Sequence, residues 1–241
     1  MRRVIDFMHS HPTVQWLGET LGERRFEATL WVRTPLGLTA FFEEMGRVTG
    51  SNLVDRIMTL EGDVWLWGHR CFSEKCARVI PLHFDTAGDP FAVDELDGRI
   101  INVRRTSGFP DPAKIARLLR VPSTTVTYRI NKLYRERVLV DGFLVERRSD
   151  NIREGHLLLE VRSHDAARHA RILAACQAHA VVGGLIRCAG SWDYKVVLLG
   201  SDSVSLLKGE AKLRRELESE INRMTLVIRR GLLKFCGDLK F

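Results

Sequence analysis

The sequence predicts an α+β fold in which a winged helix-turn-helix is flanked by two ferredoxin-like βαββαβ units, the N-terminal one incomplete. The middle of the chain shows two short amphipathic helices joined by a tight turn. The C-terminal third shows the order strand–helix–strand–strand–helix–strand, and a fainter form of that order precedes the helices. The predicted segments are an incomplete αββαβ unit over 1–70, a linker over 71–92, the winged helix-turn-helix over 93–150 and the C-terminal unit over 153–241.

The helix pair is predicted by apolar residues at helical intervals, which give each helix one stripe to bury. These residues are Ile115, Ala116 and Leu119 in the first helix and Val126, Ile130 and Leu133 in the second. A preceding helix carries a further apolar stripe, Leu96, Ile100 and Val103. The stretch 138–143 is typical of a β-strand entering a turn, which would form the wing.

The outward face of the second helix carries polar and basic side chains that can reach DNA bases or phosphates without leaving an apolar patch in water. The candidate DNA-binding residues are Ser123, Thr124, Thr125, Thr127, Tyr128, Arg129, Asn131 and Lys132. An ordinary helical hairpin with a solvated threonine surface has the same spacing. Spacing alone therefore leaves both interpretations open.

Charge and composition favour a polyanionic partner inside the cell. Lys and Arg number 37 against 30 Asp and Glu, a formal net charge of +7. Basic residues are concentrated in the helix-turn-helix: Arg99, Arg104, Arg105, Lys114, Arg117, Arg120, Arg129, Lys132, Arg135 and Arg137. No apolar run would cross a bilayer, the N-terminus lacks a signal peptide's apolar core, and five cysteines form no tight framework. We expect a cytoplasmic protein with no membrane partner.

Taken as a block, this central segment resembles the DNA-binding half of the leucine-responsive/AsnC (Lrp/AsnC) family, the feast/famine regulators. The residues that carry the resemblance are Asp97, Ile100, Ile101, Ile115, Ala116, Val121, Val126, Arg129, Ile130, Leu133, Val138 and Leu139. Three positions depart from the family pattern. Arg120 stands where the turn often has Gly, Pro122 where Ser often caps the second helix, and Arg137 where Gly often precedes the wing. Ser123 or Thr124 is expected to cap that helix instead.

The resemblance implies a double-stranded DNA partner and a second domain that binds a small effector, possibly an amino acid, and builds homodimers or higher oligomers. The C-terminal unit resembles that domain. By this resemblance the candidate effector-binding residues are Gly190, Asp193 and, on the last strand, Thr225. A turn aspartate that bonds nearby backbone accounts equally well for Asp193. The sheet is apolar enough that its second face is expected to meet another subunit.

An internal repeat relates the N-terminal stretch to the C-terminal unit at a constant offset. Gly22 falls on Gly190 and Phe26 on Tyr194, and a helix over 36–48 and a strand over 55–67 follow in the same order. The copy lacks a first strand, and Arg25 occupies the place of Asp193, so we expect it to scaffold dimers. The chain resembles a tandem member of the family that lacks its first helix-turn-helix domain. The sequence leaves open whether Met1 is the true start.

Two other kinds of site are weighed against this interpretation. The stretch from about Gly68 to Pro90 holds four potential metal ligands, His69, Cys71, Cys76 and His83, but their intervals match no common zinc finger, so a loop without metal is predicted. Sirohaem decarboxylases share the two-part architecture. Arg187 lies in the segment corresponding to theirs, yet no His-Asn-Tyr run or catalytic triad is present.

The sequence therefore predicts a DNA-binding transcriptional regulator controlled by a small molecule, with no catalytic residue and no cofactor. A tetrapyrrole decarboxylase-like enzyme is one alternative. An oligomerisation partner that does not bind DNA is the other, and Pro122 and Arg137 favour it.

Overall fold

Eight strands in the computed structural model join one continuous antiparallel sheet, which organises the whole chain. The structure describes residues 2–21, 24–32, 34–50, 55–68, 70, 82–84, 92–107, 110–136, 138–139 and 152–235. The helices are α1 Arg2–Ser10, α2 Pro35–Thr49, α3 Glu95–Thr106, α4 Pro112–Leu119, α5 Ser123–Arg135, α6 Ala166–Ala178 and α7 Ser203–Glu216. The strands are β1 Val14–Leu21, β2 Phe26–Leu30, β3 Thr59–Leu66, β4 Leu82–Phe84, β5 Arg153–Val161, β6 Val182–Gly190, β7 Tyr194–Gly200 and β8 Ile221–Phe235.

The central four strands have the order β8-β5-β7-β6, which is that of a ferredoxin-like unit and confirms the predicted α+β class. Helices α6 and α7 cover one face of these strands. Alternate residues of β5, Leu157 and Leu159, are fully buried against the two helices through Ile172 and Leu206. The two-residue period of the strand sends Glu154, His156 and Leu158 to the opposite, concave face of the curled sheet.

The N-terminal strands extend this same sheet rather than forming a sheet of their own. Strand β1 pairs with β8 at one end, and β3 pairs with β6 at the other. In a complete βαββαβ unit the last strand pairs with the first, and the N-terminal copy has no first strand. Strand β3 therefore pairs with the C-terminal unit, although the element order α1-β1-β2-α2-β3 is the predicted αββαβ order.

The second face of the C-terminal sheet, which the sequence predicts to meet another subunit, is contacted in part by the same chain. On the concave face, Nδ1 of the buried His156 lies 2.6 Å from Oε2 of Glu27 on β2. Trp16 of β1 lies beside the same imidazole, with ring centroids 5.9 Å apart. The chain's own N-terminal strands thus contact this face, because β1 and β2 continue the sheet from β8 as it curls.

A single arginine ties the N-terminal half to the C-terminal helix α6. Arg70 is 6% exposed, and its guanidinium donates hydrogen bonds to four backbone carbonyl oxygens. Its acceptors are Cys176 at 3.3 Å, Gln177 at 2.7 Å, His179 at 3.0 Å and Val182 at 3.0 Å. These carbonyls lie at the C-terminal end of α6 and the start of β6, where a helix leaves its last acceptors unpaired. The cation also suits the negative end of the helix dipole.

Candidate nucleic-acid interface and small-molecule cavity

Helices α3, α4 and α5 form a three-helix unit with its own apolar core. The buried residues of that core are Ile100, Ile101, Ile115, Ala116, Val126, Ile130 and Leu133. The predicted stripes of both short helices are thus buried together. Two aspartates begin the first two helices: the carboxylate of Asp94 accepts from Asp97 N at 2.9 Å, and that of Asp111 accepts from Lys114 N at 2.7 Å.

The turn between α4 and α5 bends the chain through a left-handed residue. Arg120 has φ 56° and ψ 47°, and Val121 N donates to Ala116 O at 3.1 Å, the pattern of a Schellman motif. Val121 packs against the three-helix core. Pro122 precedes α5 and supplies no side-chain cap, and the expected capping by Ser123 or Thr124 is wrong: the helix begins at Ser123, and no side-chain cap forms.

We expect Arg120→Gly to raise the free energy of unfolding by about 1 kcal/mol, because only glycine adopts this left-handed conformation without a steric cost. Chemical denaturation followed by circular dichroism measures the change. The matched control is Arg117→Gly within α4, where glycine should instead cost about 1 kcal/mol. Equal losses from both substitutions would contradict the interpretation of the turn.

The candidate DNA-binding residues lie on the face of α5 that points away from this core. Tyr128 is 63% exposed, and none of the eight candidates is buried. The exposed ones are Ser123, Thr124, Thr127, Tyr128 and Asn131; Thr125, Arg129 and Lys132 are half-buried. The arrangement leaves a continuous polar surface on one side of a helix whose other side is fixed by packing.

Arg129 differs from its neighbours because its guanidinium is bound within the unit. It pairs with Asp94 and, at 3.1 Å, with Oδ1 of Asp97, which is 1% exposed. The hydrogen bonds that Arg129 donates to these carboxylates raise its pKa. A hydrogen bond donated by the Asp97 backbone, and then the bond from Arg129, lower the pKa of Asp94. The ion pairs join α5 to the start of α3 and hold the orientation of the exposed face.

The segment predicted to form the wing lies largely outside the described residues. Val138 and Leu139 are described; both donate to Leu133 O, at 2.9 Å and 3.1 Å, and pack on the three-helix core. Arg137, the third departure from the family pattern, and residues 140–151 are not described.

Of the three predicted effector residues, Gly190 and Asp193 make structural contacts between strands. Gly190 has φ 138°, and a Cβ there would lie 2.9 Å from the carbonyl oxygen of Met58, so glycine permits the close approach of β3. Asp193 Oδ2 accepts from Val161 N at 2.7 Å, and Asp193 N donates to Leu159 O at 2.8 Å. Both groups of Asp193 thus bind the backbone of β5, a distant strand, rather than the backbone of the turn itself.

Thr225, the third candidate, lines a cavity of about 250 Å³ on the concave face of the sheet. Its lining residues are Arg24, Ile57, Leu158, Glu160, Ser191, Trp192, Arg223 and Thr225. Ser191 and Trp192 belong to the loop that joins β6 to β7, so the predicted effector loop does border the cavity. It contributes different side chains from those predicted.

A cluster of charges around three buried residues on the same face was missed by sequence reasoning. Its members, hereafter the charge cluster, are the buried Glu154, His156 and Lys195, the half-buried Glu27 and Arg229, and Glu61 at the exposed edge. Lys195 Nζ lies 3.4 Å from Glu27 Oε1 and also pairs with Glu61, while Arg229 Nη2 lies 2.7 Å from Glu154 Oε2. The available signal was Glu154 and His156, spaced by two in the apolar strand β5, and Lys195 in the apolar strand β7, but their partners come from distant strands.

Mutual pairing offsets the cost of burying these charges. Burial acts to raise the pKa of Glu27, but the charges and hydrogen bonds of His156 and Lys195 outweigh it and lower that pKa to about 2. Burial likewise opposes the charged forms of His156 and Lys195, yet the neighbouring carboxylates raise the pKa of both. The cluster holds three acidic and three basic groups, so it is neutral when His156 is protonated.

Of the four potential metal ligands predicted in the linker region, the structure describes His83. His69, Cys71 and Cys76 lie outside the described residues, whereas His83 stacks on Trp65 with ring centroids 4.5 Å apart. Across the part of the chain that the structure describes, His, Cys, Asp and Glu side chains form no group of three suited to a metal ion. In that same part, no helix has the length and apolar character needed to span a bilayer.

Comparisons with known proteins place the fold. No family model matches the chain, and neither does any curated protein. Among solved structures it is similar to the siroheme decarboxylase NirDL, with TM-score 0.65, 11% identity, and coverage of 99% of this chain and 70% of that one. The same enzyme with an iron-uroporphyrin III analogue gives TM-score 0.62, 12% identity, and coverage of 98% and 68%.

A transcriptional regulator from Neisseria meningitidis in complex with L-Met is also similar, with TM-score 0.52 and 12% identity, over 62% of this chain and 97% of that one. At such identities the likeness shows the fold alone. This chain has the fold that the siroheme decarboxylase NirDL and this transcriptional regulator share.

Proposed function

We propose that this protein is a DNA-binding transcriptional regulator of feast/famine type, controlled by a small molecule. The observation that carries the proposal is the exposed polar face of α5, opposite a buried stripe of Val126, Ile130 and Leu133. A helix fixed in this way can enter the major groove and present hydroxyl, amide and phenol groups to base edges. In this proposal α3 to α5, with a wing after them, act as a winged helix-turn-helix.

Arg129 has a positioning role in the proposal. Its guanidinium is occupied by Asp94 and Asp97, so the base-reading residues are those around it on α5. Lys132 and Arg135, in the last turn of the helix, are suited to phosphate contacts. Basic residues on α4, Lys114 and Arg117, add to the positive field of the unit.

We expect the double variant Thr125→Ala/Tyr128→Ala to bind its cognate site at least tenfold more weakly, with a smaller loss on random DNA. Arg135→Ala should weaken binding to both DNAs alike, because a phosphate contact carries no sequence information. Fluorescence anisotropy against a site selected from a random-sequence pool, over a range of salt concentrations, measures both effects.

The control for this experiment is Thr39→Ala on α2, an exposed threonine outside the three-helix unit, which should leave both affinities unchanged. Equal losses on cognate and random DNA from the double variant would overturn base reading by α5. Absence of sequence-specific binding by the native protein would favour an oligomerisation partner instead.

The cavity that Thr225 lines is the proposed effector site, with Gly190 and Asp193 shaping the adjoining loop.

A second copy of the chain is the other proposed partner, as a homodimer or a higher oligomer. Light scattering coupled to size-exclusion chromatography, with and without effector, measures that state. A monomer under both conditions would contradict it.

A tetrapyrrole decarboxylase is the second candidate, and the whole-chain likeness to siroheme decarboxylase NirDL favours it. The cavity weighs against it, since about 250 Å³ lies below the roughly 300–1,000 Å³ of pockets for drug-sized ligands. Among its described lining residues there is no histidine. Incubation with sirohaem, followed by absorbance spectroscopy and product analysis, separates the two: a converted tetrapyrrole would replace the regulator proposal.

A further inference from the structure

The cavity on the concave face combines side chains from both halves of the chain with two buried donors that have no oxygen or nitrogen acceptor. Arg24 and Ile57 come from the N-terminal half, and the remaining lining residues come from β5, β8 and the β6–β7 loop. Nε of Arg24 is buried without a hydrogen-bond partner, and the indole Nε1 of Trp192 is buried with the Cys188 thiol, a weak acceptor, as its neighbour. Buried N–H groups are nearly always hydrogen-bonded, so an acceptor in the cavity is expected.

The charges of the lining indicate the sign of that acceptor. Arg223 Nε lies 3.2 Å from Glu160 Oε1, so these two lining charges offset each other. Arg24 Nη2 lies 4.0 Å from Asp55 Oδ2, but Asp55 does not line the cavity, whose lining holds two arginines and one glutamate. One positive charge therefore remains to be matched by a ligand.

The rest of the lining indicates the ligand's other end. Ile57, Leu158 and the indole ring of Trp192 provide apolar surface, while Thr225 and Ser191 provide hydroxyl groups. Ser191 Oγ already donates to Met58 O at 3.3 Å. The small volume suits a compact ligand with one charged end and one short apolar end.

We infer that this cavity binds a small monocarboxylate with a short branched apolar substituent. Its carboxylate accepts hydrogen bonds from Arg24 and Trp192, and its substituent packs on Ile57 and Leu158. The inference rests on the proposed function because it gives the effector site a ligand class. This ligand class differs from an amino-acid effector. The ammonium of an amino acid cancels the charge of its carboxylate, so such a ligand would not neutralise the positive charge of Arg24. The one carboxylate of the lining, Glu160, already pairs with Arg223 and is not free to bind an ammonium.

Isothermal titration of the full chain with 4-methylpentanoate and with L-leucine tests the inference, because the two share a carbon skeleton and differ by the ammonium group. We expect leucine to bind at least tenfold more weakly. Arg24→Gln should weaken 4-methylpentanoate binding at least tenfold. The control Arg230→Gln should leave it unchanged, since Arg230 lies on β8 like Arg223, pairs with Glu19 at 3.5 Å and does not line the cavity.

A second variant, Trp192→Phe, keeps the experiment decisive if Arg24→Gln does not fold. It removes one proposed donor while keeping an aromatic ring, so it should weaken binding several-fold in the same titration. Leucine binding as tightly as 4-methylpentanoate, binding of neither ligand, or full affinity in the variants would overturn the inference. Ligand binding is measured without DNA, so failure of sequence-specific DNA binding is distinguishable from failure of this site.

Discussion

Replacing Arg70 by Met is expected to lower the free energy of unfolding by about 3 to 5 kcal/mol. Methionine fills much of the same volume but donates no hydrogen bond. Four backbone carbonyls at the end of α6 and the start of β6 would lose the guanidinium donor that they share. Each buried acceptor left without a partner costs about 1 to 3 kcal/mol, part of which relaxation recovers.

Urea denaturation followed by circular dichroism measures this loss. Arg215→Met is the matched control, because Arg215 is exposed and donates to the single carbonyl of Ala211 at 3.4 Å. That substitution should change stability by less than about 0.5 kcal/mol. A loss for Arg70→Met no larger than that of the control would show that the bonds between the two halves contribute little.

Glu27→Gln is expected to lower the free energy of unfolding by about 3 kcal/mol near pH 6, because the charged His156 and Lys195 stabilise the Glu27 carboxylate and lower its pKa to about 2. The Glu27 contribution is present above its unfolded pKa of about 4.5 and is lost as the pH falls toward 2. The His156 contribution is fully present below its unfolded pKa of about 6.5 and is lost as the pH rises through its raised folded pKa. The difference between native protein and variant should therefore be greatest between about pH 4.5 and 6.5.

Free energies of unfolding of both proteins across the pH range check this profile. Glu19→Gln on β1 serves as the control, since Glu19 pairs only at 3.5 Å with the exposed Arg230 and lies outside the charge cluster. The free energy of unfolding of Glu19→Gln should differ little from that of the native protein, and the difference should not change with pH. A difference for Glu27→Gln that is also independent of pH would contradict the pairing of Glu27 with His156.

The elements of the fold could be predicted from the sequence where a local pattern determines them. Helical spacing of Ile115, Val126 and Ile130 predicted the α4–α5 pair, and the three residues share one core in the structure. The strand order of the C-terminal unit followed from the alternation of apolar segments and turns. Such patterns act over a few residues and depend little on distant partners.

Pairing between distant segments could not be predicted in the same way. The partner of β3 is β6, more than a hundred residues away, and no local pattern specifies that choice. Glu27 and Lys195 are therefore unremarkable in sequence, although they form an ion pair in the structure. Arg70 lies at the end of the predicted N-terminal unit, and nothing in its neighbours in sequence indicates that it is buried. The cavity residues Arg24 and Trp192 were missed for the same reason.

The pairing of β1 with β8 and of β3 with β6 means that the two ends of the sheet are supplied by one polypeptide. The effective concentration of one half of the chain relative to the other is set by their covalent connection. Dilution therefore does not separate the halves as it separates two free subunits. In a symmetric dimer, one mutation changes both subunits. In this chain each half can acquire substitutions independently, so one half can change its ligand contacts while the other keeps the strand pairing between the halves.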